Sequence, residues 1–339
     1  MNVPNMKKQV QGVILGSLLT LTVLLVSCEV DFSPNAEYKE TPVVYCLLDQ
    51  DDDTTWVRVE RCFLEEGNIY NYGSDASLTN YPEGTIKVDL LAYRNGHLDS
   101  TIALSDTRRL RDEGNFAGGL QPMFYTTARL DSTCHYKLEV RHTDNDSLVA
   151  YTDSIPLIMK NQEQLLVSPA NNSRFAFTLN SACKIEWQPL VNARRYQPII
   201  RFYYGEENAA GDGEDTLYVD LPCNSVLGAT SISYSRMAFL NTLKAALIDD
   251  TNHKTYLKLV DIYITACDEN MNFYMTQVNS GVGFNQTTDT YSNIHGGMGI
   301  FAARRTHLWV RRNADNSMSP MGSGSPGLYA YLVDLGIGF

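Results

Sequence analysis

The hydrophobic pattern opens with one apolar block and then breaks into short runs of period two. Val13 to Val26 is apolar except for Gly16, Ser17, Thr20 and Thr22; Lys7 and Lys8 precede it, and it exits through Leu25-Val26-Ser27-Cys28. A basic start, a short apolar core and small residues at the exit make the signal-peptide pattern. Its core of roughly 14 residues is shorter than the about 20 that a comfortable spanning helix needs. From Thr41 the chain reads as strands and turns. Pro42–Leu48 is a continuous apolar run, Asp49-Gln50-Asp51-Asp52-Asp53 a turn cluster, and Thr55–Arg61 alternates. This predicts a hairpin. Thr85–Tyr93 and Leu98–Leu104 flank Asn95-Gly96, a strong hairpin signal. Thr133–Arg141 alternates again, and a turn at Asp144-Asn145-Asp146 leads to Leu148–Ile155. Short strands with turns at close intervals predict a β-sandwich.

A boundary falls near residues 158–164. Beyond it come Cys183-Lys184-Ile185-Glu186-Trp187, and then Ala193-Arg194-Arg195-Tyr196. This order resembles the opening of a fibronectin type III domain. Physically, Trp187 and Tyr196 would fill the space between two sheets. Ile199–Tyr204 and Thr216–Leu221 flank a polar loop, and Leu257–Cys267 reads as a strand. Ser235 caps a run with Met237, Leu240, Leu243, Leu247 and Ile248 at helical spacing, which predicts a helical insert over 236–248. A second short helix is expected from Glu269 to Val278. The expected fold is therefore mainly β, with two β-sandwich domains of immunoglobulin or fibronectin III-like kind and a small helical insertion in the second. The expected segments are a signal peptide (1–27), an acylated tether (28–40), an N-terminal sandwich (41–160), a fibronectin III-like domain (163–312), and a loop with a C-terminal docked segment (313–339).

Leu25-Val26-Ser27-Cys28 resembles a bacterial lipobox, which implies that the Cys28 thiol is acylated and becomes the new N-terminus. Lipidation turns a would-be span into an anchor. Glu29 and Asp31, just after that cysteine, resemble the surface-export signal of Bacteroidetes lipoproteins. The expectation is an outer-membrane protein facing the exterior, with a periplasm-facing arrangement as the alternative. Removing residues 1–27 removes two lysines and no acid, so the formal charge goes from −12 to −14. Such a body does not suit nucleic acid, whose binding needs clustered Lys and Arg. It also repels anionic lipid, which leaves attachment to the acyl anchor. With charged residues at 19% and apolar ones at 44%, the body is globular rather than disordered.

Candidate chemistry is sparse. Cys46, Cys62, Cys134, Cys183, Cys223 and Cys267 are widely scattered, with no zinc-like spacing. Export permits disulfides, yet Cys46, Cys183 and Cys267 sit in apolar runs where a free thiol acts as a small hydrophobe. No pairing follows from the spacing. Asp49, Asp51, Asp53 and Glu60 match positions of a calcium loop, but Thr54 stands where glycine belongs and strands flank it. A hairpin tip is expected instead, and no metal or cofactor. Gly322, Gly324 and Gly327 match a dinucleotide fingerprint in letters only, since no buried strand precedes them and Pro326 interrupts. The six histidines are dispersed, and none of the common hydrolase, metalloprotease or P-loop motifs occurs. A non-enzymatic protein is expected. Tyr70, Tyr72 and Tyr81, in a polar loop rich in Asn and Gly, are the candidate ligand-binding residues, because aromatic faces with amides suit sugar rings or a protein partner.

Three stretches together resemble one family: the Pro42–Leu48/Val57–Leu64 hairpin, the fibronectin-like opening, and Tyr291-Ser292-Asn293-Ile294-His295-Gly296-Gly297-Met298-Gly299-Ile300-Phe301. They are similar to a Bacteroidetes lipoprotein family catalogued as domain of unknown function forty-two forty-nine. The resemblance spans about 41 to 339 and carries no established activity. It implies an outer-membrane lipoprotein near a SusC-type TonB-dependent transporter, as a non-catalytic accessory that captures a glycan or peptide nutrient or aids assembly. The alternatives are a carbohydrate-binding lipoprotein and an adhesive or structural stalk. On the residues themselves, Gly296–Gly299 predict a tight turn that Ile294, Ile300 and Phe301 dock onto a sheet.

Overall fold

Strand pairing accounts for most of the chain. The structure, a computed structural model, describes residues 38–63, 72, 75–111, 119–159, 183–187, 189–207, 214–234, 241–242, 245, 255–280 and 291–313. β1 (Pro42–Leu48) and β2 (Thr55–Arg61) form the expected hairpin, with Val44 opposite Val59 and Cys46 opposite Val57. All four are buried, because period-two alternation turns every second side chain to one face. A short helix, α1 (Ala76–Thr79), follows, capped by the Asp75 carboxylate. β3 (Ile86–Arg94) and β4 (His97–Ala103) meet at Asn95-Gly96, where both residues have positive φ (52° and 81°), as a two-residue hairpin turn of this kind requires.

β5 (Ser105–Arg111) follows β4 after one residue, so a single extended arm edges two sheets in succession. β6 (Gly119–Thr126), β7 (His135–His142), β8 (Leu148–Thr152) and β9 (Ile155–Pro156) complete the first half. In the second half come β10 (Cys183–Glu186), β11 (Arg195–Glu207), β12 (Glu214–Pro222), β13 (Val226–Leu227), β14 (Ser231–Tyr234) and β15 (Thr255–Cys267). They are followed by α2 (Glu269–Ser280), β16 (Ile294–His295) and β17 (Met298–Asn313). The nine-stranded sheet runs β12-β11-β15-β17-β1-β2-β6-β5, with β13 beside β11; the six-stranded sheet runs β16-β8-β7-β3-β4, with β9 beside β7; β10 and β14 pair separately. The mainly-β expectation therefore holds, with two sheets in a sandwich-like arrangement. Of the helical insert expected over 236–248, Asn241, Thr242 and Ala245 are described, and all three are helical. The segments 1–37 and 314–339 lie outside the described residues. No described helix is long and apolar enough to cross a membrane.

β17 is the strand that joins the halves. It pairs antiparallel with β15 and parallel with β1, where Gly299 lies opposite Val44 and Phe301 opposite Cys46. Described residues from Glu40 onward belong to one compact unit. One apolar cluster includes Val44, Leu48 and Val59 from the long sheet, Leu90 and Leu138 from the short one, and Trp187, Tyr196 and Phe202. Full burial of such a side chain contributes about 1.5–3 kcal/mol. Trp187 and Tyr196 fill the core as expected. Their rings lie 5.4 Å apart, and the Tyr196 hydroxyl accepts the Leu190 N–H at 2.9 Å.

The glycine-rich stretch is a crossover between sheets. Ile294 and His295 pair with Thr152 and Tyr151 of β8, and by Met298 the chain pairs with Val43 of β1. Asn293 closes this loop by mimicking a strand neighbour: its amide donates to the Phe301 carbonyl at 2.7 Å and accepts the Phe301 N–H at 2.9 Å. A Cβ at Gly296 would lie 2.7 Å from the Val149 carbonyl, and one at Gly297 would lie 2.5 Å from that of Pro42. The turn is structural, as its sequence implied.

The acids of the β1–β2 turn are engaged by arginines of β17. Arg305 meets Asp51, Arg304 meets Asp52 at 3.1 Å, and Asp49 accepts the Asp51 N–H at 3.1 Å. The calcium-like pattern is thus a hairpin tip fastened by arginine, and the described residues contain no group of ligands suited to a metal ion.

At the far end of β3, Asp131 accepts the Thr133 N–H at 2.8 Å and an Arg94 N–H at 2.7 Å. The Thr133 N–H first, then Arg94 and the Thr133 hydroxyl, hold the Asp131 carboxyl down at about 2. A depressed carboxyl stabilises the fold above its unfolded value, roughly 3.9, and loses that contribution as pH falls through the folded one. The Asp131 resonance in a carbon-detected NMR titration should therefore turn over near pH 2, and Thr133→Ala, which removes the hydroxyl but keeps the backbone N–H and Arg94, should raise the midpoint only part of the way. A wild-type midpoint near 4 would contradict this geometry.

Candidate functional site

The outer face of the six-stranded sheet collects the most varied chemistry of the described residues. Alternation on β7 sends Tyr136, Leu138 and Val140 inward, leaving Lys137, Glu139 and Arg141 on the other face. On β3 it buries Val88, Leu90 and Ala92 and leaves Tyr93 outward; on β8 it buries Ala150 and Thr152 and exposes Tyr151. The β16 crossover then sets His295 directly opposite Tyr151.

The result is a row of side chains across neighbouring strands. The Tyr151 and His295 rings stack with centroids 4.7 Å apart and planes 22° from parallel. The Lys137 ammonium lies 5.0 Å from the Tyr151 ring centre, within cation–π range. Lys137 and Arg141 both bind Glu139 at 2.8 Å, and His295 Nε2 lies 3.2 Å from Asp153. Burial alone would raise the Glu139 carboxyl, but the hydrogen bonds from Lys137 and Arg141 outweigh it and hold the group below its ordinary value. Beside this row is a notch of about 230 Å³ lined by Tyr93, Lys137, Tyr151, Thr152, Asp153 and Ser154. Thr152 is 1% exposed, and its hydroxyl accepts the Leu138 N–H at 2.9 Å, which fixes the notch to the β7 backbone. Two aromatic rings, an ammonium, a carboxylate and the Ser154 hydroxyl converge on it. Such a set binds an amphipathic group by contact and hydrogen bonding.

Of the tyrosines singled out from sequence, Tyr72 and Tyr81 are described. Cys28 and Tyr70 lie outside the described residues. Tyr72 is half-buried in the turn before α1, where its carbonyl accepts the Asp75 N–H at 2.9 Å. Tyr81 is 4% exposed and belongs to the core. This corrects the expectation that it presents a ring face to a ligand. Its neighbour Asn80 bridges to Glu60 of β2, which draws Tyr81 over the sheet, and the Arg61 guanidinium lies 5.9 Å from its ring centre. The notch residues were missed. Alternation marks Tyr93, Lys137 and Tyr151 as outward, but the placement of His295 depends on β16 pairing with β8, which no local pattern announces.

Of the described cysteines, Cys46, Cys134, Cys223 and Cys267 are free thiols. Burial pushes Cys223 and Cys267 up to about 11, so neither is a ready nucleophile. The Cys183 side chain lies outside the described residues.

No family model and no curated protein matches the chain. Among solved structures, a chain of a cytokine receptor complex is similar at 11% identity, over 81% of this chain and 96% of that one, with a TM-score of 0.21. A score that low supports no conclusion about fold or function.

Proposed function

We propose that this is a lipid-anchored outer-membrane lipoprotein, facing the exterior, that acts without catalysis as an accessory of a SusC-type TonB-dependent transporter. It would capture a nutrient for the transporter or stabilise the complex. The observation that carries this reading is the leader from Lys7 to Cys28, in which charge, core length and the position of the cysteine agree. The resemblance through Tyr291–Phe301 supports the transporter as partner. The acidic mature body gains nothing from an anionic membrane surface, so the acyl chains must supply the attachment.

Cys28→Ala is expected to move the protein from the detergent phase to the aqueous phase in a Triton X-114 partition, with the acyl mass absent from the N-terminal peptide. A wild-type protein that carries no acyl mass would sink the anchor. Protease treatment of intact cells tests the exterior placement, and affinity purification from membranes that recovers no TonB-dependent transporter would count against the accessory role. A second reading, a carbohydrate-binding lipoprotein, is favoured by the notch at Tyr93, Lys137, Tyr151 and Asp153.

A further inference from the structure

We infer that the notch between Tyr93 and Tyr151 is a subsite for one neutral hexopyranose ring, presented as a single sugar or as one unit of a glycan. This rests on the binding-protein reading above and names the ligand class it would take.

Size comes first. At about 230 Å³ the space is smaller than the roughly 300–1,000 Å³ of sites that hold drug-sized molecules, so it admits a single ring rather than an extended ligand. Charge comes next. Lys137 and Asp153 line the notch with opposite signs, and each already has a partner, the Glu139 carboxylate at 2.8 Å and the His295 ring nitrogen at 3.2 Å. A ligand of either net charge would meet a like charge as well as an opposite one, and it would compete with a partner already in place. A neutral polyol faces no such conflict. Each hydroxyl both donates and accepts, so it can take a hydrogen bond from the Lys137 ammonium and give one to the Asp153 carboxylate without breaking either pair.

The aromatic lining fits the same class. A pyranose carries C–H groups on its ring faces and hydroxyls on its rim, and Tyr93 and Tyr151 supply apolar surface beside polar groups. Tyr151 is held by His295 on one neighbour strand and by Lys137 on the other, so little side-chain freedom remains to be lost on binding. The floor is equally fixed, because the Thr152 hydroxyl is committed to the β7 backbone. An apolar peptide side chain would use the aromatic walls but would make no hydrogen bond to the Lys137 and Asp153 groups at the rim.

The test is saturation-transfer NMR on the mature protein with glucose, galactose and mannose, together with their neutral oligosaccharides and glucuronic acid. The expected result is transfer to ring C–H protons of at least one neutral hexose, with millimolar binding for the monosaccharide. Tyr93→Ala should weaken this at least tenfold, and so should Ser154→Trp, which fills the notch from an exposed position while leaving Tyr93, Tyr151 and His295 in the chain. Unchanged melting of Ser154→Trp keeps the result interpretable if Tyr93→Ala proves unstable. No transfer to any neutral sugar, transfer that survives both substitutions, or tighter binding of glucuronic acid than of glucose would each overturn the proposal. Loss of the acyl anchor or of the transporter partner would leave this result untouched, so the two readings fail separately.

Discussion

Gly299→Ala is expected to be the most damaging single-methyl change in the described chain, costing more than about 4 kcal/mol, a large part of the roughly 5–15 kcal/mol that holds a typical domain together. Gly299 has φ of +116°, a conformation that side-chain-bearing residues rarely adopt. Its added Cβ would fall inside the contact radius of the Val44 carbonyl oxygen, with the Val44 carbonyl carbon and nitrogen also too close. Val44 cannot retreat. It is buried in the core and sits in register with Val59 on one side and Gly299 on the other. The methyl group therefore forces apart β1 and β17, the pair on which the continuity of the nine-stranded sheet depends. Gly96→Ala is the control, because its φ is also positive but nothing lies within 4 Å of the added Cβ. It should cost only about 1 kcal/mol of backbone strain. Urea denaturation of both variants separates steric clash from strain. Equal midpoints for the two would mean that β1 and β17 do not approach as closely as described.

The same contact shows where the sequence was readable and where it was not. β1 and β2 match their expected bounds, Pro42–Leu48 and Thr55–Arg61, because the first is a continuous apolar run and the second alternates into the core. The Asn95-Gly96 turn was legible because only a few residue types accept positive φ twice in succession. β5 and β6 were not. β5 reads Ser-Asp-Thr-Arg-Arg-Leu-Arg with no buried position, so an edge strand leaves no hydrophobic signal, and Pro122 interrupts β6. β17 runs 16 residues, yet only its glycine-rich start stood out, as a turn to be docked on a sheet. Its parallel pairing with β1 joins residues about two hundred and fifty positions apart, and long-range pairing has no local signature. The site suffered the same loss. The Tyr70–Tyr81 loop was conspicuous by composition, but burial of Tyr81 is decided by a bridge to β2. The notch draws on β3, β7 and β8 and on the row that β16 completes, so its chemistry becomes visible only once those strands are side by side.

Arg305→Ala is expected to cost about 3–5 kcal/mol, the range for breaking a buried ionic contact from one side. Arg305 is 2% exposed in the long sheet. One terminal nitrogen lies 2.6 and 2.8 Å from the two Asp51 oxygens, and the other donates to the Ile158 carbonyl at 3.0 Å. A single side chain thus ties the β1–β2 turn, the end of the first half and β17, segments separated by 254 and 147 positions. Truncation strips the buried Ile158 carbonyl of that donor and opens a cavity the size of the arginine. The opposite partner matters less. Asp51→Asn takes the counter-charge from a guanidinium that is 2% exposed, but its amide oxygen still accepts one of the hydrogen bonds and no cavity opens, so it should cost about 1–3 kcal/mol. Arg305→Met, which keeps most of the volume and removes the charge, should fall between the two, since filling a buried ionic site with apolar atoms recovers much of the loss. Denaturant midpoints at constant slope would establish that order. An Arg305→Ala midpoint no lower than that of Asp51→Asn would contradict a tie built on the arginine's buried volume and its bond to the Ile158 carbonyl, both of which Asp51→Asn leaves in place.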